Sequence, residues 1–230
     1  MKAAVVVFPG VNCEHDVVHA LRSLGGEAEL VWHRDTDLSD FDGVVLPGGF
    51  AHGDALRTGA IARFSPAMTE VARMASAGAP VLGICNGWQI LCESGLVPGA
   101  HIANRDLSFI CRFEEVEVVD TNSVLTRTAE PGQRLRIPLN SYEGNWVDPS
   151  GTGRVVLRYV DDPNGSQGRA AAVANEAGNV VGVMPHPERA TDDLLGSSDG
   201  QVLLESFLHS LVPAMMNEGG RPPSNPPLNP

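Results

Sequence analysis

Four short apolar runs without alternation constrain this chain most: Ala3–Phe8, Gly43–Leu46, Val81–Ile84 and Val180–Met184. A strand with one wet face alternates apolar and polar residues, so uninterrupted runs of this length belong to strands buried on both faces. The first ends in Pro9-Gly10 and the second in Pro47-Gly48-Gly49, both turn signals. Helical stretches lie between them. Asn12 is expected to cap a helix whose Val17, Val18, Leu21 and Leu24 form one stripe, closed by Gly25-Gly26. Further helices are expected around Pro66–Ala77 and over Gln201–Leu211, and a further strand over Glu27–Trp32. Strands alternating with helices give an α/β fold: an open, mainly parallel sheet with flanking helices.

The second half carries strand-like segments with turns between them and few helical signals: Glu114–Val119, Gln133–Ile137, Val155–Tyr159 and Ala170–Ala174. Extra, partly antiparallel strands are expected there. Glu114, Glu115 and Glu117 are expected on a solvated strand face. Residues 1–212 then make a single domain, and the Pro/Gly/Asn-rich residues 213–230 form a tail that cannot pack.

Charge removes several function classes. The chain has 230 residues and a formal net charge of −12, and its 16 basic residues are 15 Arg and the single Lys2. A basic nucleic-acid footprint is absent, and no lysine exists to serve a Walker-type phosphate loop. Cys13, Cys85, Cys92 and Cys111 lie scattered, without the pairing of a disulfide scaffold. The apolar start stops at Pro9-Gly10, and Glu14 and Asp16 follow without a small-residue cleavage site. No apolar stretch reaches the roughly 20 residues of a membrane span. A cytoplasmic chain with free thiols, without membrane or nucleic-acid partners, is expected.

The sharpest local feature is Val81-Leu82-Gly83-Ile84-Cys85-Asn86-Gly87-Trp88-Gln89. A buried strand runs into a helix with Cys at the corner and Gly two residues to either side, the thiol form of a nucleophile elbow. The helix start favours thiolate at such a corner. A structural buried Cys is the competing reading, and this motif alone leaves the two about even. The second feature is Val183-Met184-Pro185-His186-Pro187-Glu188. In extended backbone residues i and i+2 share a side, which makes His186 and Glu188 neighbours, stiffened by the prolines. A carboxylate beside an imidazole fixes its tautomer, as in a catalytic triad. Taken singly this is an ordinary Pro-rich loop, but Cys, His and Glu at sheet edges together favour a triad. A third feature is Leu46-Pro47-Gly48-Gly49-Phe50, whose Gly49 N–H, with that of Asn86, is a candidate oxyanion donor. Cys13, His15 and His19 have a spacing that can bind zinc but lack a further ligand cluster, so no metal site is expected. Cys92 and Cys111 are expected to be packed.

Gly83–Gln89 and Pro185–Glu188 resemble the triad-type (class I) glutamine amidotransferases. Phe8–Cys13, Pro47–Asp54, Gly59–Phe64, Asp106–Cys111 and Leu195–Gly200 narrow the resemblance to one branch, the glutaminase subunits of phosphoribosylformylglycinamidine synthase. The likeness runs from about residue 2 to 211. It departs at Ser141-Tyr142-Glu143-Gly144-Asn145, where that branch has a His-Gly-Glu-Gly-Asn-like run. The resemblance implies Cys85 as nucleophile, His186 as general base and acid, and Glu188 as its orienting partner. It implies Gly49 and Asn86 as oxyanion donors, and Gln89 with Gly48 in the glutamine pocket. It further implies a large synthetase subunit, with a small accessory subunit, that uses ammonia to convert formylglycinamide ribonucleotide in purine biosynthesis. No cofactor is expected in this chain, and ATP and Mg belong to the synthetase. The alternatives are an amidotransferase subunit of another synthetase, a stand-alone γ-glutamyl hydrolase, and a regulatory pseudo-amidotransferase.

Overall fold

The computed structural model describes residues 1–211. The tail expected over 213–230 lies outside the described residues. The apolar runs form the centre of a nine-stranded sheet. Strand β1 (Lys2–Val7) is buried over Ala3–Val6. It pairs in parallel with β2 (Glu27–Trp32) on one side and β3 (Gly43–Leu46) on the other. Next come β4 (Val81–Ile84), parallel to β3, and β11 (Val180–Val183), parallel to β4. Every residue of β3, β4 and β11 is buried. Helix α1 (Glu14–Ser23) turns Val17, Val18, Ala20 and Leu21 inward. Helices α2 (Pro66–Ser76), α3 (Asn86–Glu93) and α4 (Gly200–Ser210) complete the cover. Asn12 does not cap α1: Cys13 holds that position without a side-chain cap, and Asn12 Oδ1 instead accepts from the Cys13 thiol at 3.3 Å.

Beyond β11 the sheet continues antiparallel through β10 (Ala170–Ala174), β9 (Arg154–Tyr159), β6 (Ile110–Val118) and β7 (Arg134–Ser141). The expected fold class is therefore the observed one. β7 buries Leu135, Ile137, Leu139 and Ser141, the period of a strand with one covered face. Glu114 sits opposite Ile137 on that covered face, so it is buried and ion-paired with Arg112 at 2.6 Å. Only Glu115 is exposed as expected of a solvated face, since the pleat sends alternate residues to opposite sides. Cys92 is half-buried at the end of α3, whereas Cys111, expected to be packed, is exposed on β6.

A separate ribbon of β5 (Ala100–Ile102) and β8 (Asn145–Val147) packs beside α3. Its Trp146 stacks on Trp88 with ring centroids 6.2 Å apart, and His101 meets Trp88 edge-on at 4.5 Å. His101 is enclosed by this packing, and burial pushes its imidazole down to about 3. No helix among the described residues is long and apolar enough to cross a membrane.

Candidate active site

The carboxyl ends of β1, β3, β4 and β11 lie side by side, and each delivers one part of a single cavity. Ligands bind at this edge in open α/β sheets because the strands end there and helices begin. β1 delivers Asn12 and Cys13, β3 delivers Gly49, β4 delivers Cys85 and β11 delivers His186. The antiparallel β7 reaches over them with Asn140 and Ser141, followed by Tyr142 and Glu143. The cavity measures about 440 Å³, within the range of small-molecule sites.

Cys85 occupies the corner between β4 and α3 with φ 51 and ψ −108, a conformation strained for any residue with a Cβ. Its N–H is held by the Val183 carbonyl at 2.7 Å. The thiol, nearly buried, reaches the Asn140 carbonyl at 3.5 Å. Close approach explains the glycines around it. A Cβ on Gly87 would lie 2.0 Å from the Leu46 carbonyl oxygen, so a side chain there would push α3 off β3.

His186 is buried, and its Nδ1 lies 2.6 Å from Glu188 Oε1. The backbone N–H of His186 donates to the Pro138 carbonyl at 2.8 Å, tying the imidazole to β7. The pair forms as expected, but not in extended backbone: Pro187–Arg189 is a 3₁₀ turn that brings Glu188 back beneath the ring. Burial opposes the charged imidazole. The carboxylate of Glu188 and the sulfurs of Cys85 and Cys13 outweigh it and hold His186 well above its ordinary value. His186 Nε2 is buried without a partner among the described residues. An imidazole fixed at Nδ1 with Nε2 free can take a proton and return it.

Gly49 has φ +142 where β3 has ended, and neither its N–H nor that of Asn86 has a partner among the described residues. The Asn86 side chain braces the neighbouring loop, accepting from the Ala51 N–H at 3.0 Å. Gln89 lines the cavity one turn along α3 and donates to the Glu143 carbonyl at 2.7 Å. Gly48 gives the imidazole room. Thus Cys85, Gly49, Gln89 and His186 meet at the cavity, with Asn86 and Glu188 directly behind and Gly48 beneath.

Cys13 belongs to the same cavity, away from the zinc spacing of the sequence: His15 is exposed on the outer side of α1. Ligand atoms of Cys13, His186 and Glu188 lie within 4.8 Å of one another. The Arg189 guanidinium donates to Cys13 Sγ at 3.1 Å, so a positive charge already sits against this cluster and disfavours a cation. The sequence hid this contact because Cys13, at the start of α1, and Arg189, in the turn after β11, lie 176 residues apart in the chain.

The CobB/CobQ-like glutamine amidotransferase domain family matches residues 1–201. A phosphoribosylformylglycinamidine synthase subunit PurQ of Rubrobacter xylanophilus is 49% identical over 215 residues, covering 90% of this chain and 98% of the relative. The PurQ subunit of Trichormus variabilis is 48% identical over 221 residues, covering 92% and 99%. Among solved structures, a chain of PurLQS from Thermotoga maritima superposes with a TM-score of 0.88 at 44% identity, covering 92% of this chain and 99% of that one. A glutamine amidotransferase from the same organism, at 18% identity and TM-score 0.58 over 92% and 96% of the chains, shares the fold. The chain therefore belongs to the CobB/CobQ-like glutamine amidotransferase family, in the group of phosphoribosylformylglycinamidine synthase PurQ subunits.

Proposed function

We propose that this chain is the glutaminase subunit of a phosphoribosylformylglycinamidine synthase, with Cys85, His186 and Glu188 as its catalytic triad. The observation that carries this reading is the meeting of a strained Cys85 corner with a Glu188-oriented His186 in one cavity at the carboxyl edge of the sheet. The Cys85 thiolate attacks the side-chain amide carbon of glutamine, and the Gly49 and Asn86 N–H groups stabilise the oxyanion. The carbon–nitrogen bond breaks as His186 gives its proton to the leaving nitrogen, releasing ammonia. His186 then takes a proton from water, whose oxygen attacks the glutamyl thioester and frees glutamate and the thiolate. Glu188 keeps the imidazole in the tautomer both steps need. Gln89 and Gly48 shape the glutamine pocket.

Ammonia must stay unprotonated to act as a nucleophile, which favours direct transfer to a partner. The relatives' names and the PurLQS assembly support a large synthetase partner with a small accessory subunit. That partner converts formylglycinamide ribonucleotide to formylglycinamidine ribonucleotide in purine biosynthesis. ATP and Mg are assigned to it, since this chain has no phosphate-binding lysine loop. A cytoplasmic location suits the free thiols.

Glutamate release from glutamine, measured for the chain alone and with synthetase, ATP and acceptor, tests the reading. Turnover is expected to rise on assembly and to vanish in Cys85→Ala. Unchanged release in that variant, or a glutamyl thioester trapped on Cys13 instead, overturns it.

A further inference from the structure

The hydrolytic steps use one thiol of the cavity and leave a second, buried one without a task. Cys13 stands at the start of α1, on the wall it forms with Asn12, Gly49 and Arg189. Its sulfur is held from two sides. The thiol donates to Asn12 Oδ1 at 3.3 Å, and Arg189 Nη2 donates to the sulfur at 3.1 Å. Arg189 is itself anchored to α1, where its Nε donates to Asp16 Oδ2 at 3.1 Å. Hydrogen bonds on opposite sides of so small a group select one of its staggered rotamers. Free thiols in a core are ordinarily held by packing alone. A sulfur fixed by an amide and a guanidinium inside a catalytic cavity is held in a set direction.

That direction is the imidazole. A Cβ placed on Gly48 would lie 3.2 Å from Cys13 Sγ and 2.8 Å from His186 Cε1, so both groups close on one point of bare backbone. A ring nitrogen of His186 and a carboxylate oxygen of Glu188 lie within 4.8 Å of the same sulfur. Glu188 ties the ring at Nδ1, and Nε2 has no partner among the described residues. A planar ring tied at one nitrogen still rocks about that bond, which swings its other nitrogen to and fro. Resting on the glutaminase reading above, we propose that Cys13 is a positioning residue: pinned by Arg189 and Asn12, its sulfur blocks that rocking and keeps Nε2 of His186 aimed at Cys85. The sulfur also bears on charge. The charged and titratable groups facing the imidazole are Glu188 from the turn after β11, Cys85 from the corner before α3 and Cys13 from the start of α1. Burial opposes the protonated ring and all three favour it, so losing Cys13 removes part of that support.

The test uses the chain assembled with its synthetase. Cys13→Ala is expected to lower kcat for glutamine hydrolysis about 10- to 100-fold with KM changed less than about 3-fold, the scale of a catalytic group displaced by about 1 Å. The alkaline limb of its kcat/KM profile should begin at lower pH than in the wild type, because His186 then loses its proton more easily. Cys13→Ser keeps a donor and an acceptor at shorter reach and should recover part of both effects. Arg189→Lys keeps the charge but loses the fork that spans Cys13 and Asp16, and should lower kcat in the same direction by a smaller factor. Arg189 is partly exposed, so this variant reads the brace even where Cys13→Ala folds poorly. Added to Glu188→Gln, Cys13→Ala should cost less than about 3-fold, since both act through one imidazole. A full loss on top of Glu188→Gln, an unmoved pH profile, or a change confined to KM overturns the positioning role while leaving the glutaminase reading intact. Glutamine hydrolysis that survives Cys85→Ala overturns both.

Discussion

Gly48 shows how the site depends on a side chain that is missing. A Cβ there would lie 2.8 Å from His186 Cε1, 3.2 Å from Cys13 Sγ and 3.4 Å from Cys85 Cβ. The imidazole therefore rests against bare backbone, and nothing larger than hydrogen fits without turning it away from Cys85. Gly48→Ala is expected to lower kcat about 100-fold with a small change in KM, the scale of loss from misplacing a catalytic group by about 1 Å. Steady-state kinetics beside a melting curve separates this from unfolding. His186 offers a second measurement. Its folded value is raised chiefly by Glu188 against the opposing effect of burial, so the ion pair stabilises the fold fully below the unfolded value near 6.5 and is lost as pH rises through the raised folded value. The melting-temperature deficit of Glu188→Gln should therefore be largest near pH 6 and shrink at alkaline pH. A deficit that does not vary with pH would contradict a charged pair. Motif spacing made Cys85, His186 and Glu188 legible in the sequence. Cys13 was not, because its partners His186 and Arg189 lie at the far end of the chain.

At the scale of elements, legibility followed burial pattern. β1, β3, β4 and β11 read directly from uninterrupted apolar runs, because only doubly covered strands permit them. The β5–β8 ribbon did not, since three-residue strands carry no usable period. Glu114 was misread for a related reason: charge suggested solvent, while the pleat assigned it to the covered face. The ribbon matters because it secures the helix that presents Cys85, the nucleophile on the proposed function. Trp88 in α3 is fully buried between Trp146 and His101, and Gly182 of β11 lets its indole lie on the sheet. Trp88→Ala should cost about 3–5 kcal/mol in urea unfolding, the usual penalty for emptying an aromatic site. Turnover per folded molecule should fall as well, since α3 begins at Cys85. A loss below about 1 kcal/mol would mean that the ribbon does not hold α3.

For the whole molecule, the sheet gathers the polar chemistry at one edge and leaves apolar groups around its mouth. Phe50, Phe109 and Tyr142 line the cavity yet stay exposed. Leu56, 91% exposed with φ 71, stands between the cavity residues Asp54 and Thr58, and Leu107, 69% exposed with φ 50, precedes Phe109 by one turn residue. Large aliphatic side chains displayed on left-handed backbone are costly twice over, in solvation and in strain. Such a cost persists when a partner covers the surface, and exposed apolar side chains gathered near a cavity mouth are a usual mark of one. On the proposed function, that partner is the synthetase, which must seal this mouth to receive ammonia before water protonates it. Leu56→Asp with Leu107→Asp should leave the melting temperature of the isolated chain within about 2 °C and its slow glutamine hydrolysis intact, because neither side chain touches the core. Stimulation by the synthetase should fall at least about 10-fold at limiting partner and return as partner concentration rises, the behaviour of weakened docking rather than damaged chemistry. Full stimulation at limiting partner would place the seal on another face, and the strained rim would then need a different cause.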